Sequence, residues 1–189
     1  MVLNPDAQRR AQKEIDSILG HGHFPHFGDA DALPYLKAVL NELLRWACPA
    51  PLGQTDSCHL CLVLRSYAVV SGVPHRVTED NIYNGYFIPA GSLVFANIWA
   101  ILHDPATYPD PLKFKPERFL DRVPVTSAPL PSDLVFGFGR RICPGRFFAR
   151  DILWLAMANM LATFEFLPAT DAEGRPALPA QQFTSLFNS

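Results

Sequence analysis

The sequence predicts an α+β chain, mainly helical with small β-sheets, and three observations predict it. Apolar residues recur at helical spacing in Pro5 to Leu19, Leu33 to Ala47 and Arg146 to Thr163. Strand-like phrases between Tyr86 and Phe95 are short and bounded by turn residues. Eighteen prolines, about twice the average share, cut the remainder into loops and sharply bounded helices.

The elements follow in order. Asn4 stands as an N-cap, Pro5 at the first helical position and Asp6 in the first turn. The helix they open runs to Leu19, with Ala7, Ala11, Ile15 and Ile18 on one stripe. A loop rich in Gly, His and Phe occupies Gly20 to Gly28. Leu33 to Ala47 forms a second helix with Pro34 near its start. Its apolar face is Leu36, Val39, Leu40, Leu43 and Leu44, and Pro49 and Pro51 stop it. Residues 54–71 fit no element clearly. From Val73 the chain turns to strand and turn signals. Tyr86-Phe87-Ile88 and Leu93-Val94-Phe95 are strands parted by Pro89-Ala90-Gly91. Pro105 to Pro144 is punctuated by prolines. Arg146 to Thr163 is the strongest helix, with Phe147, Ile152, Leu155, Ala156 and Met160 among its apolar positions. Phe164-Glu165-Phe166 reads as a short strand, and Pro168 to Pro179 as loop.

Composition bounds the function. Hydrophobic residues make up 49% and charged residues 18%, which supports a core and excludes a disordered chain. A net charge of -2 excludes a globally basic nucleic-acid binder. The apolar run Leu60 to Val70 is broken by Arg65 and too short for a span of ~20 residues. Met1 to Asp6 has neither the basic nor the apolar region of a signal peptide. A start so close to a helix cap suits a natural terminus or the cut end of a longer chain. Cys48, Cys58, Cys61 and Cys143 are too irregularly spaced for a secreted disulfide framework.

The sharpest feature is Phe136-Gly137-Phe138-Gly139-Arg140-Arg141-Ile142-Cys143-Pro144-Gly145. Gly137, Gly139 and Gly145 let the backbone turn tightly and approach a flat ligand. Cys143 precedes a long helix, whose amide N–H groups and positive end favour a thiolate. Two arginines nearby add to that and can grip carboxylates. A thiolate on haem iron, with arginine on the haem propionates, fits this arrangement. The plain alternative is a cysteine packed as a small hydrophobe in a glycine-rich turn.

The same run resembles the cysteine-ligand loop of the cytochrome P-450 family, Phe-x-x-Gly-x-Arg-x-Cys-x-Gly, through Phe136, Gly139, Arg141, Cys143 and Gly145. Two further family motifs precede it in order. Glu-x-x-Arg is matched by Glu42 and Arg45, and Pro-Glu-Arg-Phe by Pro116, Glu117, Arg118 and Phe119. Each of these is weak alone; the ten-residue loop with both upstream is specific. Tyr86 to Gly91 and Asn97-Ile98-Trp99-Ala100 look like fungal microsomal members, a group at work in secondary metabolism. The resemblance spans nearly the whole of 1–189, which it makes the C-terminal, haem-binding portion of the cytochrome P-450 fold.

The resemblance implies roles. Cys143 is the axial thiolate and the metal ligand. Phe136 lies near the haem face by the sulfur. Arg141 binds one propionate and His75 a second, with Gly139 and Gly145 shaping the loop. Glu42, Arg45 and Arg118 form a salt-bridged structural triad. The implied activity is a monooxygenase that inserts one oxygen atom from O2 into a small organic substrate. Its electrons come from NADPH through a flavoprotein reductase. The family's location is the endoplasmic reticulum membrane, reached through an N-terminal anchor.

Three departures stand beside it. Family chains are more than twice this length, and the anchor, most of the substrate pocket and the distal oxygen-activating helix are expected before Met1. No Ala/Gly-Gly-x-Asp/Glu-Thr motif occurs here. The chain therefore reads as a fragment that is inactive alone, with a non-catalytic haem-binding fragment as the alternative function. Deleting Gln54 to Gly72 joins Leu52-Gly53 to Val73-Pro74 as an uninterrupted family segment. Residues 54–72 are thus read as an insertion: a non-coding spacer kept in the reading frame, or a surface hairpin in which Leu60, Leu62 and Leu64 alternate. At the end, Phe183-Thr184-Ser185 resembles the last pocket-lining turn, and the chain stops at Ser189.

Two smaller clusters compete. Cys58-His59-Leu60-Cys61 has CxxC spacing, which points to a small zinc-binding interaction module, but no second ligand pair stands nearby. His21, His23 and His26 read as a solvated loop. Between Leu112 and Arg150, eight basic residues face three acidic ones, a basic rim suited to an acidic partner.

Overall fold

The computed structural model describes residues 1–48, 74–120, 130–171 and 173–179. Helix α1 (Pro5–Leu19) starts on proline as expected. The Asn4 side chain makes no capping bond; its carbonyl accepts the Gln8 N–H instead. Phe27–Ala32 is a 3-10 turn capped by His26, whose Nδ1 accepts the Gly28 N–H at 3.0 Å. Helix α2 (Pro34–Trp46) lacks a local side-chain cap. Glu14 of α1 supplies one: its carboxylate accepts the Tyr35 and Leu36 N–H groups at 2.8 and 2.9 Å. The missing N-cap of one helix is thus met by a residue of another, which fixes how the two cross.

Helix α1 packs on α2 and on the long C-terminal helix, Arg146–Thr163. Their shared core is Ala11 and Ile15 of α1, Leu36, Val39, Leu40 and Leu44 of α2, and Trp154, Ala158 and Leu161 of the long helix. The stripe expected on that helix is therefore not its buried face. Trp154, Ala158 and Leu161 recur at i, i+4, i+7 and turn inward, while Ile152, Ala156 and Met160 are exposed. The helix is apolar on most sides, so periodicity identifies it without fixing its rotation. Leu36 and Leu40 are buried within the chain, and Leu43 remains exposed.

After α2 come two antiparallel pairs. Strand β1 (His75–Arg76) pairs with β4 (Leu93–Val94), setting His75 opposite Val94. Between them β2 (Asn81–Tyr83) and β3 (Tyr86–Ile88) form a hairpin. Its turn, Asn84-Gly85, has φ of 49° and 83°, left-handed values that suit these residues in a type I′ turn. Helix α3 (Ile98–Leu102) precedes the proline-rich stretch, which 3-10 turns at Pro116–Phe119 and Gly139–Arg141 and helix α4 (Pro131–Leu134) interrupt. Ile98, Leu102, Tyr108 and Leu134 make a second core cluster, with Cys48, Phe119 and Val135 against it. The long helix, α5, follows.

The strand expected at Phe164 to Phe166 does not form, because α1 occupies its backbone. Gln8, buried, accepts the Phe166 N–H at 3.1 Å and donates to the Phe166 carbonyl at 3.4 Å. Gln12 donates to the carbonyls of Phe164 and Leu161 at 3.0 and 3.2 Å. Pairing occurs instead inside the expected loop, where β5 (Ala169–Thr170) meets β6 (Pro176–Ala177). No helix of the described residues is long and apolar enough to cross a membrane. The proposed insertion 54–72, with Cys58 and Cys61, lies outside the described residues, as does the 183–185 turn.

Candidate functional site

The glycine-rich loop is built by its backbone. Gly137 and Gly139 have φ of 85° and 60°, the left-handed region where a side chain is costly. Gly145 does not share that reason. Its φ is -83°, and a Cβ there would meet Cys143 Sγ only at an ordinary 3.9 Å. The Cys143 N–H donates to the Phe136 carbonyl at 2.8 Å and closes the loop. The Cys143 carbonyl then accepts the Arg146 N–H at 3.3 Å as α5 begins. Cys143 is half-buried and its thiol is free.

The loop forms one wall of a cavity of about 1510 Å³. His75, Phe136, Gly139, Arg141 and Cys143 all line it; Gly145 does not. The structure adds residues that sequence reading missed: Arg76 and Thr78 near β1, Val94 and Ala96 at β4, Ile98 of α3 and Cys48 after the end of α2; Arg140, the second arginine of the loop, lines it as well. The His75–Val94 pairing explains part of this, since it carries β4 to the same cavity as β1.

The electrostatics of the cavity are one-sided. Among the described residues His75, Arg76, Arg140 and Arg141 line it and no carboxylate does. Among the described residues none of these four forms an ion pair. Apart from Thr78, most of the remaining lining is apolar, with Val94, Ala96, Ile98, Val135, Phe136 and Phe138. A thiol, apolar walls and uncompensated guanidinium groups suit a flat apolar ligand that carries carboxylates.

Apart from the cavity lining, α2 carries a buried ion network. Glu42 and Arg45 are fully buried side chains of one α2 face, and Arg118 is nearly so. Arg45 Nε and Nη2 donate to the Glu42 carboxylate at 2.7 and 2.9 Å. Arg118 Nε donates to the same carboxylate at 3.2 Å, and the Lys115 N–H does so at 2.7 Å. Arg45 Nη1 reaches the Leu102 carbonyl at 2.9 Å, and Arg118 Nη1 the Pro109 carbonyl at 3.0 Å. The network thus ties α2 to the end of α3 and to the segment before the Pro116–Phe119 turn. Buried charges are tolerated here because each guanidinium and the carboxylate have several partners. His103, next to Leu102, stacks on Trp99 at 4.4 Å and donates from Nδ1 to the Trp99 carbonyl at 2.9 Å. Burial holds its imidazole below the usual histidine range, opposed by the bond to Trp99.

His21 pairs with Asp16, and His26 serves the 3-10 turn; no metal-binding cluster occurs among the described residues.

Comparison with known proteins agrees with this geometry. The family model for cytochrome P-450 matches residues 1–58 and 63–186. A cytochrome P-450 monooxygenase of Coprinopsis cinerea is 45% identical over 177 residues, which is 93% of this chain and 30% of that protein. One of Ampulloclitocybe clavipes is 40% identical over 98% of this chain and 34% of its own length. A zebrafish cytochrome P-450, solved with abiraterone, superposes with a TM-score of 0.69 at 31% identity, over 92% of this chain and 35% of that one. The chain spans about a third of the length of the curated relatives it matches.

Proposed function

The chain belongs to the cytochrome P-450 family, and from that premise we propose that the cavity beside Cys143 holds haem. The observation that carries this reading is the cavity itself, which joins the Cys143 thiol of the glycine-rich loop, a second thiol at Cys48, apolar walls and four basic side chains, without a carboxylate among the described residues. Cys143 would supply the thiolate that ligates the iron. Arg141 and His75 hold the two propionates, as the family motif suggests, and Arg76 is placed to share that charge. Phe136 orients the cysteine through its carbonyl, and its ring belongs to the apolar lining. Glu42, Arg45 and Arg118 act only through position, by fixing the core on which the loop rests.

Bound there, haem would supply oxygen activation, the chemistry by which one atom of O2 enters an organic substrate and the other leaves as water with two electrons and two protons. This chain's residues bind the group, exclude water from its apolar side and neutralise its carboxylates. The electrons are assigned to NADPH through a flavoprotein reductase. Arg140, Arg141, Arg146 and Arg150 are suited to steer such an acidic donor. The endoplasmic reticulum membrane is the location this reading assigns to the longer protein.

On its own the 189-residue chain is assigned haem binding without turnover. Exposed Phe148, Ile152 and Met160 also favour self-association. The test is to load the chain with haem, reduce it and add carbon monoxide. A red-shifted Soret band of thiolate-ligated haem supports the reading. Stoichiometric zinc without such a band would instead support a metal module at Cys58 and Cys61.

A further inference from the structure

We propose that the cavity holds haem more tightly when His75 is protonated, so that retention of the group is linked to pH through this one side chain. The proposal rests on the haem reading above and deepens it by naming what regulates the site. Among the described residues the cavity is lined by His75, Arg76, Arg140 and Arg141 and by no carboxylate. Three of these four are arginines, whose guanidinium groups keep their charge at every pH a folded protein meets. Histidine is the exception, since its charge changes between about pH 5 and pH 8. A charge-assisted hydrogen bond to a carboxylate is roughly twice as strong as a neutral one. A ligand that carries carboxylates therefore meets a fixed charge from the arginines and a variable one from His75.

The fold fixes His75 at the cavity and keeps acids away from it. His75 pairs with Val94 in the sheet of β1 and β4, and both residues line the cavity. Strand β4 brings no titratable side chain, and β1 adds only Arg76. The cysteine loop brings Arg140, Arg141 and Cys143, and Cys48 follows the end of α2. Glu79 and Asp80 come next along the chain after β1 but do not line the cavity; Asp80 accepts the Ala90 N–H at 2.7 Å instead. With no acid beside it, the charge of His75 is left for a carboxylate that enters. The sign follows from this. On the acid side of the histidine range the imidazolium holds the carboxylate. As pH rises the proton is lost and that contribution fades, while the arginines remain. The Cys143 thiolate acts in the opposite sense, because a thiol must be deprotonated to ligate iron and its titration would weaken binding toward acid pH. The direction of the pH dependence thus separates the two groups.

The experiment loads the 189-residue chain with ferric haem, mixes it with excess apomyoglobin as the acceptor and follows haem release by absorbance. It is run from about pH 6 to about pH 9, a span across which an ordinary histidine loses its charge. Wild type is expected to release haem about fivefold faster at the upper end than at the lower. His75→Arg keeps a cation at every pH and should vary by less than about twofold over the span. His75→Gln is neutral throughout and should release at the fast rate at every pH. Cys48→Ser should keep the wild-type pH dependence, which separates His75 from the second thiol of the lining. Circular dichroism checks that each variant folds as wild type does. Release from wild type that is independent of pH, or faster toward acid pH, would overturn the proposal. So would a wild-type pH dependence in His75→Gln, or its loss in Cys48→Ser. The haem reading is judged separately by the reduced, carbon-monoxide-treated spectrum. A thiolate band with release independent of pH sinks this proposal alone, and absence of the band at every pH overturns the haem reading and this proposal with it.

Discussion

Removing Arg45 and Arg118 together should cost more than the sum of removing each. Both guanidinium groups share the Glu42 carboxylate, with Nε contacts of 2.7 and 3.2 Å. Arg118→Ala leaves Glu42 with its bidentate partner and the Lys115 N–H, and also removes an exposed bond to the Pro109 carbonyl, so the loss is at least that of one charged hydrogen bond, about 1.5–3 kcal/mol. Arg45→Ala breaks a fully buried pair and frees the Leu102 carbonyl, at about 3–5 kcal/mol. In either single variant one cation still compensates Glu42. In the double variant neither does, and the buried charge is stranded with only the Lys115 N–H. The two cations also repel each other in the intact network, which adds to the coupling with the same sign. The excess over additivity should fall within about 0.5–3 kcal/mol. Urea unfolding of the four proteins, with the slope checked for constancy, reads it directly. Where Arg45→Ala fails to fold, Arg45→Lys retains the charge, loses the fork and replaces it in the cycle. Additivity within about 0.5 kcal/mol would refute the reasoning, because it would mean that the two arginines are not compensating one carboxylate.

Three further outcomes are expected. Gln8→Ala removes both hydrogen-bond partners of the Phe166 backbone and should destabilise the chain by about 1–3 kcal/mol in urea unfolding. His103 is held below its ordinary pKa by burial, so the unfolded chain takes up a proton first as pH falls through about 6.5. The thermal midpoint should therefore drop below that pH, no such contribution should exist above it, and His103→Gln should flatten the difference. Arg150→Gln, outside the haem cavity, should reduce the ionic-strength dependence of reduction by the flavoprotein. Rates equally insensitive to salt in wild type would contradict a steering role.

The helices and the loop were legible in the sequence for local reasons. Pro5, Pro34 and the glycines before Cys143 act on their own backbone, and the structure keeps them where the sequence put them. What was not legible depends on distant partners. Phe164 to Phe166 alternates like a strand, yet its backbone bonds go to Gln8 and Gln12 on α1. The rotation of α5 depends on which of its many apolar residues meets α1 and α2, and that choice fell on Trp154, Ala158 and Leu161. At the cavity, Arg76, Val94 and Cys48 carry no motif. They are brought in by the β1–β4 pairing and by the end of α2. Glu42-x-x-Arg45 is an ordinary helix-surface spacing, and only its burial beneath Arg118 distinguishes it.

The most direct test of the account is the reduced, carbon-monoxide-treated absorption spectrum of the haem-loaded chain with serine at each cysteine in turn. Cys143 alone stands in the closed loop between Phe136 and α5, so Cys143→Ser should abolish the red-shifted thiolate band. Cys48→Ser, Cys58→Ser and Cys61→Ser should retain it. Cys48 is the sharpest control, since it lines the same cavity. A thiolate band that survives Cys143→Ser, or that disappears with Cys48→Ser, would contradict the assignment of the iron ligand and with it the proposed site.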